Sequence, residues 1–272
     1  MNNNRKTYLK KYANAYASEF KNSDGIPNLT AIAESEDITI IYDHYERSFG
    51  GLTVYEDGRF FIHLDLDSTK DKNNGRARFT LAHELGHALI DEHRLGLMTG
   101  KLESHVSEYL LGVNDKKIEL EADFFASCLL MPSNDFKNVA RSFSNFFSVD
   151  VLRHLASHFR TSLLATIFRF VDVGIESVFI TFNQSERVKW FAKSNDFPDW
   201  AFKFKVGQMT PENTVVGDYF RDKKEKYSEV EEVDRDDWFY VSTDHNAELN
   251  LYEQCIYIED YDYVISVLWF SK

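Results

Sequence analysis

Residues 78–93 read RFTLAHELGHALIDEH, and within them His83, Glu84 and His87 carry the H-E-x-x-H spacing of zinc hydrolases. Positions four apart stack on one face of a helix, so His83 and His87 can direct both imidazoles at a single cation. Glu84 follows His83 by about 100° of helix rotation. That offset keeps it out of the ligand set but beside a water held at the ion, where a general base is needed. The flanks are apolar: Phe79, Leu81, Ala82, Leu85, Ala88, Leu89 and Ile90. Two imidazoles and a carboxylate inside such a segment need a compensating partner, and a metal ion is the simplest one.

A catalytic zinc takes three protein ligands and keeps its fourth position open for water. Residues 116–131, KKIELEADFFASCLLM, have helical spacing and stop at Pro132, which makes them the natural source of the third ligand. Glu119, Glu121 and Asp123 are the candidates. Glu121 lies one turn before Phe124 and Phe125 and two before Cys128, on the apolar side of the helix, whereas Glu119 is about 160° away and reads as solvated. Glu121 is therefore the expected ligand. Oxyanion stabilisation needs a further donor, and His63, His93, His105, Tyr109, Arg78 and Arg94 have suitable chemistry without the spacing choosing among them.

These residues need elements to hold them. Tyr8, Tyr12, Tyr16 and Phe20 recur every fourth position, predicting a helix over 5–20 with an aromatic packing stripe. Asn28 is a candidate N-cap for a short helix through Glu34. Residues 38–42 read as a strand, and 52–55 with 59–64 as a hairpin turning at Asp57-Gly58. The charged stretch 65–75 reads as a loop into the histidine helix. Residues 94–117 read as loops, with a short helix around 104–111.

Taken together, FTLAHELGH at 79–87 and ELEADFFASCLLMP at 119–132 resemble the ImmA/IrrE family of metallo-endopeptidases. The strand through Phe61, Ile62, His63 and Leu64 sits where that family places one before its metal helix. The resemblance extends over about 29–170. It implies a zincin-like α+β core with His83, His87 and Glu121 as zinc ligands and Glu84 as catalytic base. It also implies an intracellular regulator that cleaves a helix-turn-helix repressor and so releases mobile-element or stress-response genes. A His₂Glu set accepts manganese, cobalt or iron as well as zinc. The strand at 60–64 would receive the cleaved segment edge-on.

Residues 135–170 resemble that family's helical continuation, with helix-turn-helix spacing around a turn at 160–162. The segment is only slightly basic. The whole chain has 31 Lys and Arg against 44 Asp and Glu, a net charge of −13, which disfavours direct DNA binding and favours docking of a protein partner. From Ile175 the pattern turns to strands, at 178–182, 187–191, 238–242, 251–258 and 263–270, with one helix at 211–226 capped by Thr210. The expected organisation is a metallopeptidase domain over 1–132, a helix-turn-helix-like subdomain over 133–174, and a sheet-rich α+β domain over 175–272. That last domain would be a GAF-like sensor or a partner-binding module. The acidic stretch 229–237 reads as a solvated loop.

Hydrophobic residues make up 43% of the chain, enough for real cores. Cys128 and Cys255 each lie in an apolar run, as buried reduced thiols of the cytoplasm do. The N-terminus lacks a signal-peptide core, and no apolar run reaches membrane-spanning length. Oligomeric state leaves no mark on the sequence. Two other functions use the same residues: a zinc peptidase of other peptides, and a non-proteolytic antirepressor whose metal only holds helices together. An intact Glu84 weighs against the second, because a purely structural site has no use for a base.

Overall fold

The computed structural model describes residues 1–69, 71, 74–102, 105–106, 116–144, 146–221, 226–241, 249–258 and 262–271. The chain is α+β and divides into two compact units. Met1–Val139 with His154–Arg169 form the first, and Ala140–Arg153 with Phe170–Lys272 the second, so residues 133–174 are shared between them.

The first unit opens with α1 (Asn3–Glu19), capped by the Asn2 side chain on the Arg5 N–H, and α2 (Leu29–Ser35), capped by Asn28. Leu9, Ala13 and Ala17 form the buried face of α1. The tyrosine stripe lies beside that face. Its hydroxyls donate to Asp91 from Tyr8, to the Leu89 carbonyl from Tyr12 and to Glu36 from Tyr16. A tyrosine can keep its ring packed only if its hydroxyl finds a partner, and three did.

Next come β1 (Ile38–Asp43), β2 (Gly51–Glu56), β3 (Arg59–Asp65), α3 (Leu66–Thr69), α4 (Gly75–Leu89), α5 (Asp91–Met98), β4 (His105–Val106) and α6 (Lys116–Leu130). The hairpin turns where Asp-Gly requires, with Asp57 and Gly58 both at positive φ and Glu56 opposite Arg59. Strand order is β1-β3-β2-β4, with β1 parallel to β3 and the other pairs antiparallel. This corrects the expectation that residues 60–64 offer an open edge: β3 is central and its ladder is taken on both sides. The predicted loops at 65–75 and 94–117 also shrink, because α3 occupies part of the first and α5 runs on to Met98. The short helix expected around 104–111 lies largely outside the described residues; His105 and Val106 within it are strand.

Helices α7 (Ser133–Phe143), α8 (Val149–Phe159) and α9 (Leu163–Val173) follow, with Arg160 at positive φ in the turn between the last two. The second unit then adds β5 (Val178–Gln184), β6 (Arg187–Lys193), β7 (Ala201–Phe202), α10 (Val215–Arg221), β8 (Glu231–Val233), α11 (Arg235–Trp238), β9 (Phe239–Tyr240), β10 (Asn250–Ile258) and β11 (Tyr263–Ser271). Its main sheet has the order β6-β5-β11-β10-β8, antiparallel throughout. Phe179, Phe197, Phe204, Trp238 and Phe239 pack its core. The acidic stretch expected as a loop contributes the edge strand β8, and its carboxylates stay exposed. Such charge on an edge discourages pairing with other chains. The helix expected to start at Pro211 begins at Val215. Both its first two N–H groups are received by the Glu253 carboxylate from β10, at 3.2 and 3.1 Å.

Candidate metal centre

Helix α4 carries His83, Glu84 and His87, all buried. It can lie close against α6 because small residues meet there: a Cβ on Gly86 would sit 3.3 Å from the Ala122 Cα. Ala122 and Ala126 are both fully buried along that seam. Positions 119, 122, 123 and 126 share one stripe of a helix, so the seam that seats the alanines carries Glu119 and Asp123 to the histidines.

The two imidazoles converge, with His83 Nε2 and His87 Nε2 3.0 Å apart. Glu119 faces both, placing Oε2 3.2 Å from His83 Nε2 and Oε1 3.2 Å from His87 Nε2. The ligand atoms of these three residues all lie within 4.8 Å of one another. His83 Nδ1 donates to Asp123 at 2.9 Å, which fixes the tautomer and leaves Nε2 as a lone-pair donor. Two imidazole nitrogens and a carboxylate oxygen converging on one point form the donor set of a catalytic zinc site, so the residues fit a divalent ion.

Glu121, the expected third ligand, is elsewhere, and this corrects the reading of helix faces. It is buried, but against α1. Arg5 donates to its Oε2 from Nε at 3.0 Å and from Nη2 at 2.5 Å, and His93 Nε2 lies 3.3 Å away. Helix α6 has two buried faces, one toward α4 and one toward α1, and its aromatic positions do not separate them, since Phe125 reaches Gly86 on α4 as well as α1. Phe125 packs against Tyr12 there, with ring centroids 6.0 Å apart. The legible signal for Glu119 was the pairing of Glu119 with Asp123 around small residues at 122 and 126.

The electrostatics follow from burial and from these partners. Burial opposes charge on His83, yet its hydrogen bonds to Asp123 and Glu119 prevail and raise its pKa from 6.5 to about 10. Burial lowers His87 to about 3. In the absence of a cation the proton therefore sits on the His83 ring, between Asp123 and Glu119, and His87 stays neutral. Protonation and a cation compete for the same lone pairs, so binding a divalent ion releases a proton.

Glu84 is fully buried, and its Oε2 accepts a hydrogen bond from Thr53 Oγ1 of β2 at 2.6 Å. Strand β2 can approach this closely only because residue 51 is glycine: a Cβ there would lie 2.6 Å from Glu84 Oε1. Of the candidate oxyanion donors, His63 pairs with Tyr45, Arg94 donates to the Ala88 carbonyl, Arg78 to the Pro27 carbonyl, and His93 faces Glu121. Tyr109 and the His105 side chain lie outside the described residues.

An H-E-x-x-H helix packed on a helix that adds a glutamate, against a small mixed sheet, is the arrangement of the metallopeptidase class. The chain belongs to the peptidase M78 family: the IrrE N-terminal-like domain matches residues 34–171, which contain His83, Glu84, His87 and Glu119. No curated relative matches the chain. Among solved structures it is similar to one described as a Mycobacterium tuberculosis transcriptional regulator, with a TM-score of 0.59 over 97% of this chain and 76% of that one, at 13% identity. That likeness is one of fold. Among the described residues no helix is long and apolar enough to cross a membrane.

Proposed function

We propose that this chain is a zinc-dependent endopeptidase of the cytoplasm that makes one cut in a helix-turn-helix transcriptional repressor, thereby inducing mobile-element or stress-response genes. The observation that carries the reading is the convergence of His83, His87 and Glu119 beside a buried, oriented Glu84. Zinc is the proposed ion, and manganese binds the same donors. His83, His87 and Glu119 would hold the ion, which would supply Lewis acidity to a carbonyl and lower the pKa of a water toward about 7. Glu84 takes the water's proton during attack and returns it to the leaving amine. His83 is kept in register for its part by Asp123, and Thr53 holds the carboxylate of the base.

The choice of a repressor as substrate is supported by the ImmA/IrrE resemblance and by a structural neighbour described as a transcriptional regulator. Helix α9 supports a protein partner over DNA. Its Thr166, Ile167, Arg169 and Phe170 are buried, and its exposed positions are Phe168 and Asp172, neither of them basic. The deciding experiment co-expresses the chain, or its Glu84→Gln form, with candidate repressors and looks for a discrete fragment by mass spectrometry. One cut by the wild type and none by Glu84→Gln is the expected result. A stable complex without cleavage would make the protein an antirepressor, and digestion of unrelated proteins would make it a general peptidase.

A further inference from the structure

We propose that Thr53 is the positioning residue of Glu84, holding the carboxylate in the one orientation that serves the His83, His87 and Glu119 pocket. The inference rests on the reading of Glu84 as the base and adds to it a residue from a different element. Thr53 is fully buried, and its hydroxyl lies 2.6 Å from Glu84 Oε2 and 3.2 Å from the Glu84 carbonyl. A hydroxyl has one proton to give, and the carboxylate is the stronger and nearer acceptor. The hydroxyl is itself immobile. Thr53 stands in a strand paired on both sides, with Ile62 in β3 and His105 in β4 as its partners, and its β-branched side chain has few rotamers. Two residues earlier on the same face, Gly51 gives the Oε1 side of the buried carboxylate the room it needs, because a Cβ there would lie 2.6 Å from Oε1. Strand β2 therefore grips one carboxylate oxygen and makes room at the other. A glutamate without that grip has three rotatable bonds and several orientations to choose from.

A hydroxyl that merely satisfies a buried carboxylate would affect stability alone, so the test reads orientation. Full-length wild type, Thr53→Val, Thr53→Ser and Glu84→Gln are loaded with zinc, their metal content and melting temperatures are measured, and acetohydroxamic acid is titrated in by calorimetry. This probe chelates the metal through both oxygens as the hydroxamate anion, passing its O–H proton to a carboxylate beside the metal, which then donates back to the bound oxygen. Glu84→Gln is expected to weaken its binding by about tenfold or more, the scale of a charge-assisted hydrogen bond. Thr53→Val is expected to lose most of that same factor with zinc content unchanged, and Thr53→Ser to recover it. Thr53→Ala replaces the valine variant if that one does not fold. Should Glu84→Gln weaken the probe while Thr53→Val binds it like wild type, the positioning role is overturned and the base reading stands. If Glu84→Gln itself binds like wild type, the base reading fails and takes this inference with it.

Discussion

Asp123 Oδ1 accepts from His83 Nδ1 at 2.9 Å, one helical turn beyond the Glu119 that faces the Nε2 of the same ring. One turn of α6 thus contributes both a candidate ligand and the group that orients the His83 ring. An imidazole so held has one tautomer and one direction, and its basicity is raised by the anion behind it.

Asp123→Ala is accordingly expected to weaken zinc binding by about 10- to 100-fold, the usual cost of losing an outer-shell carboxylate. Asp123 is half exposed, so its loss should leave the melting temperature of the metal-free protein nearly unchanged. Competition with a chromophoric chelator measures the first quantity and calorimetry the second.

The third ligand is decided by a pair of substitutions. Glu119→Ala should purify without zinc, whereas Glu121→Gln should keep about one zinc per chain. Glu121→Gln should instead be less stable, by about 2–3 kcal/mol, because it strips Arg5 and His93 of a buried partner that solvent only partly replaces. Elemental analysis beside urea titration separates the two effects. Zinc retained by Glu119→Ala and lost from Glu121→Gln would reverse the assignment.

Gly51→Ala places a methyl group within 2.8 Å of Glu84 Oε1, Glu84 Cγ and Thr80 Cγ2. The overpacking should cost about 1–3 kcal/mol. Displacing the base by an ångström should reduce cleavage of a cognate repressor by about 100-fold while zinc stays bound. Equal rates for Gly51→Ala and wild type would show that the carboxylate tolerates the shift.

Acid should destabilise the protein before its ordinary carboxylates titrate. Burial lowers His93 to about 4, with Glu121 opposing it, and His87 to about 3. Below about pH 6.5 the unfolded chain takes up protons at these positions that the folded chain does not. The contribution of these two histidines is therefore complete above that pH and falls as pH drops toward about 4, by up to about 1.4 kcal/mol per unit for each, whereas that of His83, raised to about 10, is complete below about pH 6.5 and is lost as pH rises toward 10. Burial would raise Glu121, but Arg5 holds it below the carboxylate range, so its contribution is lost only at lower pH still. Urea titrations from pH 7 to 4 with chelator present should show the decline, and His93→Asn should reduce the slope by about half.

The sequence by itself determined what depends on neighbours along the chain. Four-residue spacing puts His83 and His87 on one face whatever surrounds them, and places Glu84 beside them. Asp57 and Gly58 adopt positive φ because that turn suits few other pairs, so the hairpin was legible too. Asn28 was recognisable as a cap for the same local reason. Tertiary structure decided where two faces or two partners competed. Helix α6 buries one side against α4 and another against α1, and no periodicity says which carboxylate meets the histidines and which meets Arg5. The contact of Gly86 with Ala122 settles it, through an approach that only small residues permit. Strand β3 became central because β1 pairs with it in parallel from across a crossover, a pairing that leaves no mark on alternation. Helix α10 begins at Val215 rather than Pro211, where Thr214 caps the Gly217 N–H locally and Glu253, nearly forty residues later, brings a carboxylate to the first two free N–H groups, a partner that no local pattern announces.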